Sequence, residues 1–188
     1  MQITGVIIAG GKSKRMGKDK LSLLFRGKTL LKNATELLEN FTTNILISSN
    51  KDILDTKYPI VNDQIKNVGP IAGIYQALLV AKTSKILVVP VDMPILNIAL
   101  IDYLLKNAKE EALINVYKTS THTQMLVGIY DQKLLPIIRN QMDKNQYKLR
   151  DLLALSSVNM IDGTAFEELF VNANTPTDLQ KLKEQYER

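Results

Sequence analysis

The chain has no cysteine and no tryptophan, one histidine, and aromatic residues at only 6% of its 188 positions. Lacking cysteine, it forms no disulfide, no thiolate metal site and no cysteine nucleophile. The histidine, His122, lies in the polar run Ser120-Thr121-His122-Thr123, a setting that predicts a solvent-facing loop rather than a catalytic base or metal ligand. No apolar run approaches the ~20 residues of a membrane helix. The stretch Met1-Gln2-Ile3-Thr4 also lacks the charged and apolar regions of a signal peptide, so no membrane contact and a cytoplasmic location are expected. Scarce aromatics count against nucleic acid, because single strands are bound largely by stacking. Ser48, Ser49, Ser156 and Ser157 have no G-x-S-x-G setting, and the pairs Glu110-Glu111 and Glu167-Glu168 carry no metal spacing.

What is present is ordinary globular material, 45% hydrophobic and 23% charged, with the length of a single domain over residues 1–188. The net charge of +5 suits an anionic substrate. The lysines and arginines are densest in Gly5 to Lys20, GVIIAGGKSKRMGKDK, where a short apolar run feeds into a glycine-rich loop. Val6 to Ala9 read as a buried strand, and Gly10 and Gly11 let backbone approach phosphate oxygens without Cβ atoms in the way. Lys12, Lys14, Arg15, Lys18 and Lys20 supply positive charge, which together makes a holder for a nucleoside triphosphate. Two familiar phosphate patterns fail here. A Walker A loop ending at Gly17-Lys18 would need glycine at Lys12 and a hydroxyl at Asp19, and a G-x-G-x-x-G fingerprint starting at Gly10 also meets Lys12.

Strand and helix signals alternate along the rest of the chain. Strands are expected at Gly5–Ala9, Asn44–Ser48, Tyr58–Val61, Lys85–Pro90, Ala112–Val116 and Met125–Tyr130. Ile86-Leu87-Val88-Val89 is apolar throughout, as parallel strands covered on both faces are. Helical spacing joins Leu30, Ala34, Leu37, Leu38 and Phe41, then Ile74, Ala77, Leu78 and Ala81, then Ile101, Leu104, Leu105 and Ala108. A last helix runs from Thr177 to about Gln185, capped by Thr175 or Thr177. Asp151, after Lys148 and Arg150, marks a charged helix start. This pattern predicts an α/β fold, a three-layer α/β/α sandwich with a mostly parallel central sheet.

In such a sheet ligands sit beyond the carboxyl ends of the strands. Lys20, Asp63 and Asp92 all fall there. Asp92, in Val-Pro-Val-Asp-Met-Pro, would alone read as a turn residue. Beside a phosphate loop it reads as a ligand for Mg²⁺, which takes one or two carboxylates together with phosphates and water.

The motif A-G-G-x-x-x-R-M-G-x-D-K, Ala9 to Lys20, resembles the signature of the molybdenum cofactor guanylyltransferases, within the MobA-like nucleotidyltransferase family. Four further segments follow in order. Asp63 with Gly69-Pro70-Ile71-Ala72-Gly73 is similar to the family's aspartate and G-P-L-A-G. Asp92-Met93-Pro94-Ile95-Leu96 resembles D-x-P-[FY]-[LI], Gln124 to Tyr130 resembles Q-P-L-x-G-L-Y, and Asn172 to Leu179 resembles N-x-N-T-P-x-D-L. Met125 replaces a proline, Val91 stands where a cysteine often precedes the metal aspartate, and Ser48 occupies a place that can be asparagine in relatives.

The resemblance implies a Rossmann-like, GT-A-like nucleotidyltransferase fold and transfer of GMP from GTP to molybdenum-bearing molybdopterin, with Mg²⁺ as cofactor. It also implies roles. Ile8, Ala9 and Gly10 would contact guanine and ribose through backbone, Lys20 the triphosphate, Asp63 the nucleotide and Asp92 the metal, while Asn172 and Asn174 face the acceptor. Without the family, both asparagines read equally well as loop residues bonding their own backbone. Charge alone adds Arg15 and Lys12 as partners of the β and γ phosphates. Molybdenum-insertion proteins and molybdoenzyme chaperones would be further partners. Two alternatives remain: a sister enzyme using CTP or another phosphorylated acceptor, and a non-catalytic nucleotide-binding adaptor.

Overall fold

The computed structural model describes residues 2–10, 20–51, 53, 56–62 and 68–187. Nine strands are found among them: β1 Thr4–Ile8, β2 Leu24–Phe25, β3 Lys28–Thr29, β4 Ile45–Ser48, β5 Ile60–Val61, β6 Lys85–Pro90, β7 Ile114–Lys118, β8 Thr123–Asp131 and β9 Val158–Asp162. Seven form one sheet in the order β5-β4-β1-β6-β8-β7-β9. β8 is antiparallel to both neighbours and every other pairing is parallel. Connection length accounts for the exception. Only four residues, Thr119 to His122, join β7 to β8, and the Thr119 N–H donates to the His122 carbonyl at 2.9 Å, a closure that permits only a hairpin. The carboxyl ends of the six parallel strands share one edge, and β8 enters from that edge.

Helices cover both faces. α1 (Leu30–Glu39), α3 (Ile98–Asn107) and α6 (Pro176–Tyr186) pack with Ile7, Leu87, Val89, Val127 and Ile129. On the other face α2 (Pro70–Val80), α4 (Leu135–Asp143) and α5 (Leu152–Leu155) pack with Val6, Ile8, Ile86, Val88 and Tyr130. Alternate residues of β1 and β6 therefore serve opposite cores, and both strands are buried along their whole length. This is the expected three-layer sandwich with a mostly parallel sheet.

Several elements differ from the sequence expectation. Tyr58–Val61 shortens to β5 because Pro59 has no N–H to give the ladder, though its carbonyl accepts from the Ile47 N–H at 3.0 Å. The second helix begins earlier, at Pro70, whose missing N–H costs nothing in a first turn. The hairpin β2-β3, the helix α4 and the edge strand β9 were not expected, whereas α5 starts after Asp151, where a charged helix start was expected. β2 and β3 are two residues each around Arg26 and Gly27, whose φ angles of 53° and 72° define a type I′ turn.

Two features carry the C-terminal segment to the sheet's carboxyl edge. Tyr117, fully buried, donates its hydroxyl to the Leu100 carbonyl at 2.6 Å, and its ring meets Phe166 and Phe170 with centroids 6.1 and 5.4 Å away. Burial pushes the Tyr117 phenol well above its ordinary pKa, so it stays a donor. Beyond Phe170, Ala173 is fully buried and its N–H donates to the Asp92 carbonyl at 2.8 Å. A capping box then starts α6: the Asp178 N–H donates to the Thr175 hydroxyl at 3.1 Å, and the Thr175 N–H donates to Asp178 Oδ2 at 2.8 Å.

Candidate active site

Where β1 and β6 end side by side, the chain crosses from one side of the sheet to the other, since β4 and β5 lie to one side of β1 and β6 onward to the other. Open α/β sheets bind ligands at such a reversal. A cavity of about 460 Å³ opens there, lined by Ile8, Ala9 and Gly10 at the end of β1, by Ser48 to Lys51 at the end of β4, by Gly69, Pro70 and Gly73 at the start of α2, and by Asp92 after β6. That volume lies within the ~300–1,000 Å³ of small-molecule sites. Its walls are held by backbone. Ala9 N–H donates to the Ser48 carbonyl at 2.9 Å, and Val91 N–H to the Ile8 carbonyl at 3.1 Å. A Cβ added at Gly10 would meet nothing within 4 Å, so the backbone there faces open space.

Lys20 and Asp92, 72 residues apart, meet at the edge of this cavity. Lys20 Nζ donates to Asp92 Oδ2 at 2.7 Å and to Asn174 Oδ1 at 3.2 Å. The Lys20 and Asp92 side chains are 15% and 23% exposed, shielded enough for the charges to interact and open enough for a ligand to reach them. Asn174 is fixed from behind, because its N–H donates to Asp178 Oδ2 at 3.1 Å. The structure thus brings together three residues from three distant parts of the chain, all singled out from the sequence. Asn172 lies two residues earlier and is exposed. Asp63, Arg15 and Lys12 lie outside the described residues.

Sequence reasoning missed Ser49, Asn50, Lys51 and Leu126 as cavity residues. The signal was available for the first three: they follow the carboxyl end of β4, and the rule that flagged Lys20, Asp63 and Asp92 applies equally there. His122 is exposed in the β7-β8 turn as expected, with Nδ1 2.7 Å from the Thr121 hydroxyl.

Among the described residues no group of three or more His, Asp or Glu side chains could hold a metal by itself. The donor the site does offer is a single carboxylate, Asp92 at the cavity edge. Mg²⁺ keeps most of its water and is bound through one or two carboxylates plus substrate phosphates. In this structure the Asp92 carboxylate is neutralised by the Lys20 ammonium 2.7 Å away.

Fold and site together define a nucleotide-binding α/β transferase, with a glycine-bearing strand end, a lysine and a carboxylate around one cleft. The sequence profile of the MobA-like NTP transferase domain matches residues 5–162, and the chain belongs to that family. It is 34% identical over 182 residues to a probable molybdenum cofactor guanylyltransferase of Flavobacterium johnsoniae, covering 96% of both chains. It is 32% identical over 181 residues to the molybdenum cofactor guanylyltransferase of Vibrio vulnificus, covering 94% of this chain and 93% of that one. Among solved structures, a putative protein of Aquifex aeolicus superposes with a TM-score of 0.79 at 30% identity, covering 93% of this chain and 94% of the other. Molybdopterin-guanine dinucleotide biosynthesis protein A of Archaeoglobus fulgidus, 21% identical with a TM-score of 0.81 over 97% and 98% of the two chains, shares the fold. Among the described residues no helix is long and apolar enough to cross a membrane.

Proposed function

We propose that the protein transfers GMP from GTP to the terminal phosphate of molybdenum-bearing molybdopterin, giving the guanine dinucleotide form of the cofactor and pyrophosphate. The observation that carries this reading is the meeting of Lys20, Asp92 and Asn174 at the edge of the cavity lined by Ile8, Ala9 and Gly10. The similarity to guanylyltransferases over nearly the whole chain supports the choice of base and acceptor.

In this reaction an acceptor phosphate oxygen bonds to the α-phosphorus of GTP while the bond from that phosphorus to the bridging oxygen breaks, and pyrophosphate leaves. The nucleophile belongs to the substrate, so the protein's work is positioning and charge stabilisation. Ile8, Ala9 and Gly10 hold the nucleoside end through backbone. Lys20 pairs with the triphosphate, with Arg15 and Lys12 on its β and γ phosphates and Asp63 helping to fix the nucleotide. Asp92 holds Mg²⁺, which neutralises negative charge on the phosphates when bound. Asn172 and Asn174 face the acceptor. We place this work in the cytoplasm, and direct hand-over of the pterin would make molybdenum-insertion proteins and molybdoenzyme chaperones its partners.

The test offers each of the four nucleoside triphosphates to the protein with Mg²⁺ and molybdenum-loaded molybdopterin and identifies the dinucleotide by mass. Only GTP should give product. A cytosine dinucleotide would move the protein to a sister activity, and binding without any product would make it an adaptor.

A further inference from the structure

We propose that Lys20 is the resting counter-ion of Asp92, and that a metal-bound triphosphate displaces it, so that metal and nucleotide enter the site together rather than one after the other. This rests on the reading that Asp92 holds the metal and Lys20 the triphosphate.

The ammonium of Lys20 sits 2.7 Å from Asp92 Oδ2. A divalent cation at that oxygen would compete for the same lone pairs and would face a like charge at contact distance, in a place where both side chains are largely shielded from water. A metal ion arriving alone therefore meets an occupied carboxylate. A triphosphate changes the balance, because it offers Lys20 more negative charge than one carboxylate and brings phosphate oxygens to complete the metal's shell. The exchange requires little of the backbone. Lys20 opens a short 3₁₀ turn, Lys20–Ser22, anchored by buried Leu21, so the long side chain can swing while its Cα stays in place.

The same movement frees a second group. Asn174 Oδ1 accepts from Lys20 Nζ at 3.2 Å, whereas the Asn174 backbone is held separately by Asp178 Oδ2 and by the neighbouring bond from Ala173 N–H to the Asp92 carbonyl. When Lys20 leaves, Asn174 keeps its position and its amide turns to other partners. Lys20 thereby links the nucleotide side of the cleft to the residue assigned to the acceptor.

Manganese is the probe, with free Mn²⁺ read by electron paramagnetic resonance in the absence of nucleotide and acceptor. The wild type should bind Mn²⁺ weakly, Lys20→Met about tenfold more tightly once the competing charge is gone, and the Lys20→Met/Asp92→Asn double variant no better than the wild type. Lys20→Gln serves as a second variant, and thermal unfolding checks that each is folded. Equal Mn²⁺ affinity in wild type and both Lys20 variants overturns the proposal, as does a gain that survives Asp92→Asn. In ¹⁵N-labelled wild type the Asn174 side-chain amide resonance, assigned with Asn174→Asp, should shift when GTP and Mg²⁺ are added together and stay still with Mg²⁺ alone. A shift with Mg²⁺ alone overturns the coupled entry. Neither the acceptor nor turnover enters the nucleotide-free arm, so its result stands apart from whether guanylyl transfer is the reaction.

Discussion

Asp92 and Lys20 are joined by one short ion pair, yet their removal should have different consequences. Asp92→Asn keeps the shape and the hydrogen-bonding capacity of the side chain, and the backbone bond from Ala173 N–H to the Asp92 carbonyl is untouched. The fold should therefore survive, with its thermal midpoint little changed. Pyrophosphate release from GTP should fall about 10²–10³-fold, the usual loss when a group that stabilises transition-state charge is removed. Full activity at ordinary Mg²⁺ would remove Asp92 from the metal site. Lys20→Ala should instead raise the KM for GTP as well as slow turnover, because it removes charge from the ground-state triphosphate too. Both residues were legible, Asp92 because a carboxylate leaving the apolar strand β6 is conspicuous, and Lys20 because it closes the glycine-rich motif that follows β1. Asn50 and Lys51 follow the carboxyl end of β4 and were open to the same strand-end rule, but their composition is that of any solvent loop, and it is the cavity that marks them as a wall.

The entries into α2 and α6 are where secondary structure and site coincide. Gly69, at φ 84° and ψ −170°, occupies a region essentially reserved for glycine, and it turns the chain into α2 at the cavity wall. Gly69→Ala should cost about 1–3 kcal/mol in chemical denaturation and should weaken GTP binding as well. An unchanged midpoint would show that the turn relaxes freely. At α6, Thr175→Ala removes the side-chain acceptor of the cap and should cost about 1 kcal/mol, without the larger loss of turnover expected for Asp92→Asn. The partner of that cap, Asp178, has its carboxyl held below the ordinary value of 3.8, first by the Thr175 hydroxyl and then by the backbone N–H groups of Thr175 and Asn174, against an opposing effect of burial. Because the folded value is depressed, the contribution is fully present above the unfolded pKa and is lost as pH falls through the folded one. The cap should hold Asn174 unchanged from pH 5 to 8, a range set well above a carboxylate pKa of about 4. A carboxyl ¹³C titration should give Asp178 a lower midpoint in the wild type than in Thr175→Val, and equal midpoints would deny the hydroxyl its part. The α6 cap was visible as Thr175-Pro176-Thr177-Asp178. β9 was hidden because an edge strand with one buried residue, Ile161, lacks the continuous apolar run that announced β6.

Across the whole molecule the site is assembled from segments that span most of the sequence, from Ile8 to Asn174, and no one of them makes it alone. The alternating strand and helix pattern was enough to read the layers and the carboxyl edge. The path of the last segment was not, because it depends on buried Tyr117 meeting Phe166 and Phe170 across some fifty residues of sequence, as their ring distances show. Ligand binding to such a site reports on the global fold, since the unfolded chain keeps none of this geometry. A nucleotide present at a hundred times its Kd stabilises the folded state by about 2.7 kcal/mol. For a chain of this size each kcal/mol raises the midpoint by about 2–4 °C, so GTP with Mg²⁺ should lift thermal unfolding by roughly 5–10 °C. CTP at the same concentration should lift it less if guanine is preferred. Lys20→Ala and Asp92→Asn should each lose most of the GTP shift while unfolding near the wild-type midpoint without ligand. A full GTP shift in both variants would place the nucleotide elsewhere on the molecule, and the cavity between β1, β4 and β6 would then need another ligand.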